Sequence, residues 1–526
     1  MKEITIIFIN LFLCIQLGAQ ERFWEFIPGW VCAYVEEYEQ GYLSVGLGEH
    51  YGGQSNTHHF VFNELNSQGD LLNSVESILD TAHANSFFTR AQITAEFNDQ
   101  RIVVGMLHKE GLTQIGLIAW YNEDFTELLN YRTYDLAWDT RFKTISVYND
   151  STLIIGGNRY NSSWSYPKAF LINMDMEGNI RWQQNYYCND ACVRYVYQVL
   201  TTSDGGFVLV CHEDSPTPPG SSQQYYRHAL FIKTDSMGIE QWSITPGDYL
   251  HYSLTPGGAI ETDDGNILIS YSNPEEYYIN YFGEYDNYQT NDTSTVFVEK
   301  YSLDSGALIL KDSLYYDIPL NYEVPNRLYK YELTQMLRTQ DGNALIIGTT
   351  KMAAVLIKVT QDGEFLWFRE HSPYGDENTA SEYVWPFGAS PTSDGGFIVG
   401  GEYISFSGGN IYPQGYQSAF VLKVDEYGCL EPGCQLTDGV VELSDDTNLQ
   451  LQTYPNPAHD MIKIQFPTKE SGTLTVTDVL GKEIGVYNIN DNQYLTIDIN
   501  QSKNGLHLLR FVSKTGEVMT AKIIKE

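Results

Sequence analysis

The sequence predicts an all-β protein, a seven-bladed β-propeller followed by a small Ig-like β-sandwich. Three observations predict it. A turn followed by an apolar run recurs seven times along the body, and a second apolar run follows each copy. Helical periodicity is almost absent.

The first element reads EQGYLSVG, NDQRIVVG, NDSTLIIGG, SDGGFVLV, DDGNILIS, QDGNALIIG and SDGGFIVGG, beginning at Glu39, Asn98, Asn149, Ser203, Asp263, Gln340 and Ser393. The second reads HFVFNEL, IGLIAWY, AFLINMD, ALFIKTD, VFVEKYS, AVLIKVT and AFVLKVD, and most copies run on through a Gly turn into an aromatic-bearing strand. Asp-Gly and Gly-Gly pairs supply the positive φ of tight hairpins, and the flanking Val, Ile, Phe and Tyr are strand formers. Each unit therefore reads as four antiparallel strands, a to d. One such sheet cannot bury both faces, whereas radial stacking of seven does; a β-solenoid is the rival arrangement. The seventh unit reaches Cys429–Cys434 where its strand d is due, and Phe23-Trp24-Glu25-Phe26 resembles strand d of the sixth unit. The N-terminal segment is therefore expected to complete the last blade and to remove two sheet edges; a simple leader is the alternative.

The chain has 526 residues, 42% of them hydrophobic, enough for more than one packed core. Acidic residues outnumber basic ones by 67 to 31, a formal charge of −36. That field repels phosphate backbones and argues against nucleic-acid binding. At the N-terminus, Lys2, the apolar run Ile4 to Leu17 and the small residues Gly18-Ala19 read as a signal peptide over 1–20. The run is shorter than the roughly 20 residues a membrane helix needs, and no later stretch is long and apolar enough to span. Cys188 with Cys192, and Cys429 with Cys434, can each close a short loop in an oxidising compartment; half of a zinc tetrahedron is the rival reading, but no second pair completes one. Cys32 and Cys211 read as buried thiols.

The expected organisation is a signal peptide over 1–20, a propeller over 21–435, a linker over 436–450 and a C-terminal domain over 451–526. The body resembles the propeller-like bodies of large secreted bacterial proteins, which share a phrase like Asp425 to Cys434 (DEYGCLEPGC). The last domain carries Tyr454-Pro455-Asn456-Pro457, the hairpin Asp478–Gly481-Lys482, a strand led by Gly505 and a basic final strand. It closely resembles the C-terminal sorting domain of the type IX secretion system, with His507 where that family has Tyr or Phe. The resemblance implies the type IX secretion machinery as partner and passage across the outer membrane, to be released or surface-anchored. An Ig-like stalk is the alternative.

Chemical motifs are few: no HExxH, GxSxG or EF-hand loop occurs, and no motif asks for a metal or cofactor. His58 and His59 are adjacent on a strand and point to opposite faces. His212-Glu213-Asp214 can supply ligands or an acid–base pair, or can simply open a solvated loop. Lys233, Lys300, Lys358 and Lys423 share one place in strand c, and pairing with acidic neighbours in strand d is expected.

The a–b and c–d turns are tight, whereas the other connections are long and aromatic. The candidate ligand-binding residues lie there: Trp164 and Tyr166, Tyr225 and Tyr226, Tyr412 and Tyr416, and the segment with Tyr277, Tyr278, Tyr281, Tyr285 and Tyr288. Tyr offers a flat apolar face with a polar tip, suited to stacking on sugars or gripping a protein. Packing of these rings on one another is the other reading. The expected function is a secreted or cell-surface binding protein for a glycan or a protein. A polysaccharide hydrolase or lyase and a structural surface component are the alternatives.

Overall fold

A computed structural model describes residues 22–50, 57–77, 79, 85–86, 92–108, 114–136, 139–160, 167–188, 192–216, 225–246, 254–273, 295–314, 332–350, 352–373, 382–405, 416–431, 434, 451–454, 458–478, 482–500, 502–503, 505–514 and 518–525. The chain divides into two compact units, Met1–Gln435 and Leu436–Glu526. Among the described residues every regular element of any length is a strand, and no helix is long and apolar enough to cross a membrane.

Among the described residues the first unit holds seven antiparallel sheets. In chain order, sheet 1 comprises Val31–Tyr38, Gly41–His50, Thr57–Asn66 and Leu71–Ser77, and sheet 3 comprises Thr140–Asn149, Thr152–Arg159, Lys168–Met174 and Ile180–Tyr186. Sheet 4 is Val193–Thr201, Phe207–Pro216, Tyr225–Thr234 and Glu240–Ile244; sheet 5 is Thr255–Glu261, Asn266–Asn273, Thr295–Ser302 and Leu308–Leu314. Sheet 6 is Glu332–Arg338, Ala344–Thr349, Ala354–Val359 and Phe365–His371. Sheet 2 departs from the pattern: Gln100–His108, Gln114–Asn122 and Leu128–Tyr134 pair as expected, but its first strand is broken into Asn85–Ser86 and Thr94–Phe97. Sheet 7 contains Glu382–Pro391, Phe397–Ser405 and Tyr416–Val424, and its outer strand is Phe23–Ile27, paired antiparallel from Phe23↔Lys423 to Ile27↔Ala419. The N-terminal segment thus completes the last sheet, as the likeness between the two aromatic strands implied.

Each sheet packs against the next, and sheet 7 packs against sheet 1. Apolar clusters fill the junctions, and one of them runs continuously through sheets 1, 2 and 3. Ile154, Phe207 and Ile232 join sheets 3 and 4, while Phe23, Cys32, Val35, Ile398 and Val421 join sheets 7 and 1. The recurring Gly turn and aromatic strand have one physical cause. The c–d turn glycine of one sheet lies under an aromatic ring on the outer strand of the sheet before it. A Cβ on Gly238 would come within 2.7 Å of Trp182, and one on Gly69 within 2.5 Å of Phe23, and both glycines hold positive φ. Phenol and indole donors add a bond at the same place: Tyr134 to the Gly178 carbonyl at 2.7 Å, Tyr186 to Gly238 at 2.8 Å and Trp242 to Leu303 at 2.8 Å.

The repeated lysines correct one expectation. Each has its acidic partner in the a–b turn and none in strand d, although Lys233 also bonds Gln241 of strand d and Lys300 also meets Asp362 in the c–d turn of sheet 6 at 2.8 Å. Lys233 meets Asp204 at 2.7 Å, Lys300 meets Asp264 at 2.7 Å, Lys358 meets Asp341 at 2.7 Å and Lys423 meets Asp394 at 2.8 Å. Each Asp also accepts from a turn threonine: Thr202, Thr262, Thr339 or Thr392. The pleat puts strand c beside the a–b hairpin through strand b, so the long Lys stem crosses under the turn. Lys233 and Lys423 are fully buried. Sheets 1, 2 and 3 lack this clamp, and the first two turn instead on non-glycine residues at positive φ, Glu39 in one and Asn98 and Asp99 in the other.

The second unit is one antiparallel sheet system around a core of Ile462, Ile464, Phe466, Leu474, Val476, Leu509, Phe511 and Ile523. The apolar runs Met461 to Phe466 and Gly472 to Thr477 belong to a single element. They form one strand, Met461–Asp478, paired with Glu483–Asp498 and interrupted by register shifts between Gln465 and Gly472. The break lets both halves face one core, where Phe466 and Phe511 meet edge to face at 4.9 Å.

Candidate functional site

The site begins with an irregularity common to the first strands. In six sheets the a–b ladder slips by one residue at the same place, and the extra residue is Ala33, Lys143, Tyr197, Gly257, Thr334 or Phe387. Bulges re-aim side chains and concentrate beside functional sites. Pro256 and Pro386 adjoin two of them, in strands whose outer edge carries no ladder. Tyr197, Gly257, Thr334 and Phe387, with Gln92, Gln198 and Gln335, line one narrow cleft where the first strands converge. Its free space is about 10 Å³, room for one water.

Two glutamines hold the converging strands in register. Gln198 bonds both backbone groups of Ala259 on the next sheet, at 3.0 and 3.2 Å, and Gln335 accepts from Ala389 N at 2.8 Å.

On the side of the long connections, sheets 3 and 4 assemble a cluster of rings and cations. His212 Nδ1 lies 2.5 Å from the Tyr197 hydroxyl, and its Nε2 lies 3.6 Å from Asp214. The imidazole packs between Tyr195 and Tyr197, at 4.7 and 5.2 Å between centroids. The Lys143 ammonium sits 4.8 Å from the Tyr195 ring and 5.4 Å from that of Tyr197. Arg141 covers Tyr160 at 4.1 Å and donates to its hydroxyl at 2.8 Å. Burial pulls the His212 pKa down to about 4, so the imidazole is neutral near pH 7. Burial alone would raise the Asp214 carboxyl, but bonding to His212 and the charge of Arg227 leave it below its ordinary value.

The trio His212-Glu213-Asp214 is therefore split by the pleat. His212 and Asp214 turn toward Tyr197 and Arg227, while Glu213 binds Arg194 at 2.7 Å on the opposite face. Lys143, Tyr195 and Tyr197 escaped sequence reasoning because a bulge breaks the period-2 pattern that would have flagged them. A further buried acid, Glu402 on sheet 7, is held by the Gln417 side chain, and burial pushes its pKa up to about 7.

Of the residues singled out from sequence, Trp164, Tyr166, Tyr277, Tyr278, Tyr281, Tyr285, Tyr288 and Tyr412 lie outside the described residues. The backbones of Tyr225 and Tyr416 begin third strands on sheets 4 and 7, with Tyr226 next to the former, at the same end as the His212 cluster. Cys188–Cys192 and Cys429–Cys434 are disulfides with Cα separations of 5.9 and 5.6 Å, and Cys32 and Cys211 are buried thiols. The first pair lies near Glu213, the one grouping of three possible metal ligands among the described residues, but its sulfurs are bonded to each other. In the second unit Tyr454 is exposed with Lys463 5.4 Å from its ring, Asp478 ends the long strand, Lys482 is exposed, and Gly505 opens a strand at φ 132°. Pro455, Asn456, Pro457, Gly481 and the spans 1–20 and 436–450 lie outside the described residues.

Residues 452–526 match a family described as the secretion system C-terminal sorting domain. The chain carries a type IX sorting domain, which marks a secreted or outer-surface protein and implies the type IX machinery as partner. A comparison with curated proteins gave no match. Among solved structures, the chain is similar to a polysaccharide lyase, Uly1, at 12% identity and TM-score 0.46, over 76% of this chain and 91% of that one. It is similar to an ulvan lyase of family PL25 at 7% identity and TM-score 0.45, over 80% and 99%. A protein from Lactobacillus plantarum gives 14% and 0.39, over 74% and 97%. At such identities and scores these likenesses carry no argument about activity.

Proposed function

We propose that the chain is a secreted or outer-surface binding protein. Its body is a seven-bladed β-propeller that recognises a glycan or a protein through the side bearing the long connections. It reaches the periplasm by its signal peptide and crosses the outer membrane by the type IX route. The observation that carries the reading is the asymmetry between the two ends of the sheets. One end is closed by short hairpins with buried Lys–Asp clamps. The other gathers Tyr160, Tyr195, Tyr197, His212 and several cations above that narrow cleft. Rings with polar tips beside fixed cations suit a polar ligand with apolar faces.

A second reading has one specific observation in its favour. A neutral His212 bonded to the Tyr197 phenol, with the Lys143 ammonium against the same ring, offers a proton acceptor beside a cation. Elimination from an acidic polysaccharide needs those two groups. Hydrolysis needs two free converging carboxylates, and Glu213 and Asp214 are each tied to an arginine.

The test is a screen of the purified body against glycans and proteins, run beside a polysaccharide degradation assay. Binding without turnover supports the first reading. Unsaturated product that vanishes in Tyr197→Phe supports the second. Neither result would leave a structural component. Replacing Tyr281 and Tyr285 together by Ala, with a thermal melt as control, reports whether the long connection of sheet 5 takes part.

A further inference from the structure

The C-terminal unit presents one sheet face that its own core does not use. Along Gly505–Ser513 the odd residues His507, Leu509 and Phe511 are buried, while Leu506, Leu508 and Arg510 point outward. Register extends this face across four strands: Val486, Thr475, Arg510 and Thr520 form one row, Leu508 and Lys522 are paired beside it, and Leu506 and Ile524 beside them. Ile484 is the extra residue where the ladder with Met461–Asp478 slips, between Gly485 opposite Val476 and Glu483 opposite Thr477.

Register puts four exposed large aliphatics on that face: Val486 at 48%, Leu506 at 39%, Leu508 at 38% and Ile524 at 47%. A stray exposed Leu is ordinary, but Leu506, Leu508 and Ile524 adjoin on two paired strands, with Val486 across Met461–Asp478 from them, and such a cluster marks an interaction surface. Arg510 and Lys522 on the face and Lys482 at its margin are exposed, and register adds one acid, Glu483, to the row of Thr477, Leu508 and Lys522, so the balance of charge is basic.

We propose that this face is where the sorting domain docks on the export apparatus. Its partner is a protein surface with an apolar centre and acidic groups placed to meet Arg510 and Lys522. The inference rests on the type IX assignment and adds to it the residues that are recognised. Apolar centres with Arg at their border are the usual composition of protein interfaces. A basic patch on a chain of net charge −36 is also distinguishable from the rest of the exported surface, which suits an address. The patch is formed by pairing among Met461–Asp478, Glu483–Asp498, Gly505–Ser513 and Val518–Lys525, so it exists only in the folded domain.

The experiment follows the full-length chain in a type IX-competent cell, comparing its surface-plus-medium fraction with its periplasmic fraction. Leu508→Glu with Ile524→Glu should lower the exported fraction about tenfold with an unchanged melt of the purified protein. Arg510→Glu with Lys522→Glu, which leaves the aliphatics in place, should lower it severalfold. Met461→Glu, at another exposed position, should export normally. A chain ending before Leu451 is the reference. If it too is exported, the type IX assignment fails; if it is retained while both double variants export normally, the docking face alone is overturned. Concentration-dependent self-association of the purified chain that the Leu508/Ile524 variant abolishes, with export intact, would assign the face to a second copy and also overturn the proposal.

Discussion

The two units of the chain treat charge in opposite ways. The last 76 residues hold eight Lys and Arg against eight Asp and Glu, so the entire formal charge of −36 resides before residue 451. In the body, cations are scarce and mostly committed. Lys233, Lys300, Lys358 and Lys423 are buried under hairpins, and Arg101 bridges two sheets by meeting Glu36 and Glu96 at 2.7 and 2.8 Å. In the C-terminal unit they are mostly on the surface, with Lys525 buried on backbone carbonyls as the exception. The body uses basic residues as internal ties and leaves an acidic exterior, which favours solubility outside the cell. The C-terminal unit keeps them where a partner can reach them.

The largest effect that could break this comparison is removal of the smaller unit. Deleting Tyr454 to Glu526 should leave a folded body with an unchanged cooperative melt, retained in the periplasm. Each unit has its own core, so neither needs the other to bury apolar surface. Fractionation and a thermal melt check the two halves of that statement. Normal appearance of the truncated chain in the medium would remove the sorting role.

A second test concerns the internal ties. Lys233 is wholly buried and bonds Asp204, the Thr234 carbonyl and Gln241. Lys233→Ala takes the donor from three acceptors and leaves a cavity under the hairpin, and should cost about 3 kcal/mol. Urea unfolding of the body would show it as a lower midpoint at constant slope. A change below about 0.5 kcal/mol would mean that the hairpin is held by its turn chemistry alone.

Much of the body was legible because its period is set by local chemistry. Gly238 and Gly69 recur at positive φ under aromatic rings, and Phe23–Ile27 was recognisable as a displaced outer strand from its likeness to another. The axial residues were not legible. Lys143 and Tyr197 are bulged, and a bulge shifts the alternation by one, so their direction cannot be read from the pattern around them. The lysine partners were misread for a related reason. Strand neighbours are visible in a sequence, but the reach of a long side chain across an intervening strand to Asp204 or Asp394 is not.

Two groups of carboxyls should give the body pH responses of opposite sign. In the hairpin clamps, burial tends to raise the Asp carboxyls, but the bonds from Lys and Thr outweigh it and leave Asp204 and Asp394 low and Asp341 at about 2. A lowered folded pKa stabilises above the unfolded value near 4, and that stability is lost as pH falls through the folded value. The body's melting temperature should therefore drop between about pH 4 and pH 2. Glu402 behaves in reverse. Burial raises it from 4.5 to about 7, so the fold loses stability as pH rises across that window. Glu402→Gln should gain about 2 kcal/mol at pH 8 and almost nothing at pH 4. Melts of both proteins at the two pH values decide it, and an equal gain at both would show that Glu402 does not titrate in that range.

The smallest effect sharpens the comparison from the other side. Lys469 and Asp491 face each other at 3.7 Å in the C-terminal unit, with side-chain exposures of 66% and 79%. In high dielectric the attraction is weak, salt screens it, and holding two mobile side chains together costs entropy. Lys469→Ala should therefore change stability by less than about 0.5 kcal/mol, nearly an order of magnitude below Lys233→Ala. The two substitutions remove the same ammonium and differ in what surrounds it, so their ratio isolates burial from charge. The measurement is urea unfolding of the full chain, with the two units followed by separate probes, at low and at high salt. If the ties in the body are desolvated as the structure shows, salt should erase what little Lys469 contributes and leave the cost of Lys233→Ala almost unchanged. Equal costs for the two, or equal salt dependence, would mean that the lysines under the hairpins are as wet as those on the sorting domain, and the contrast between the two units would fall.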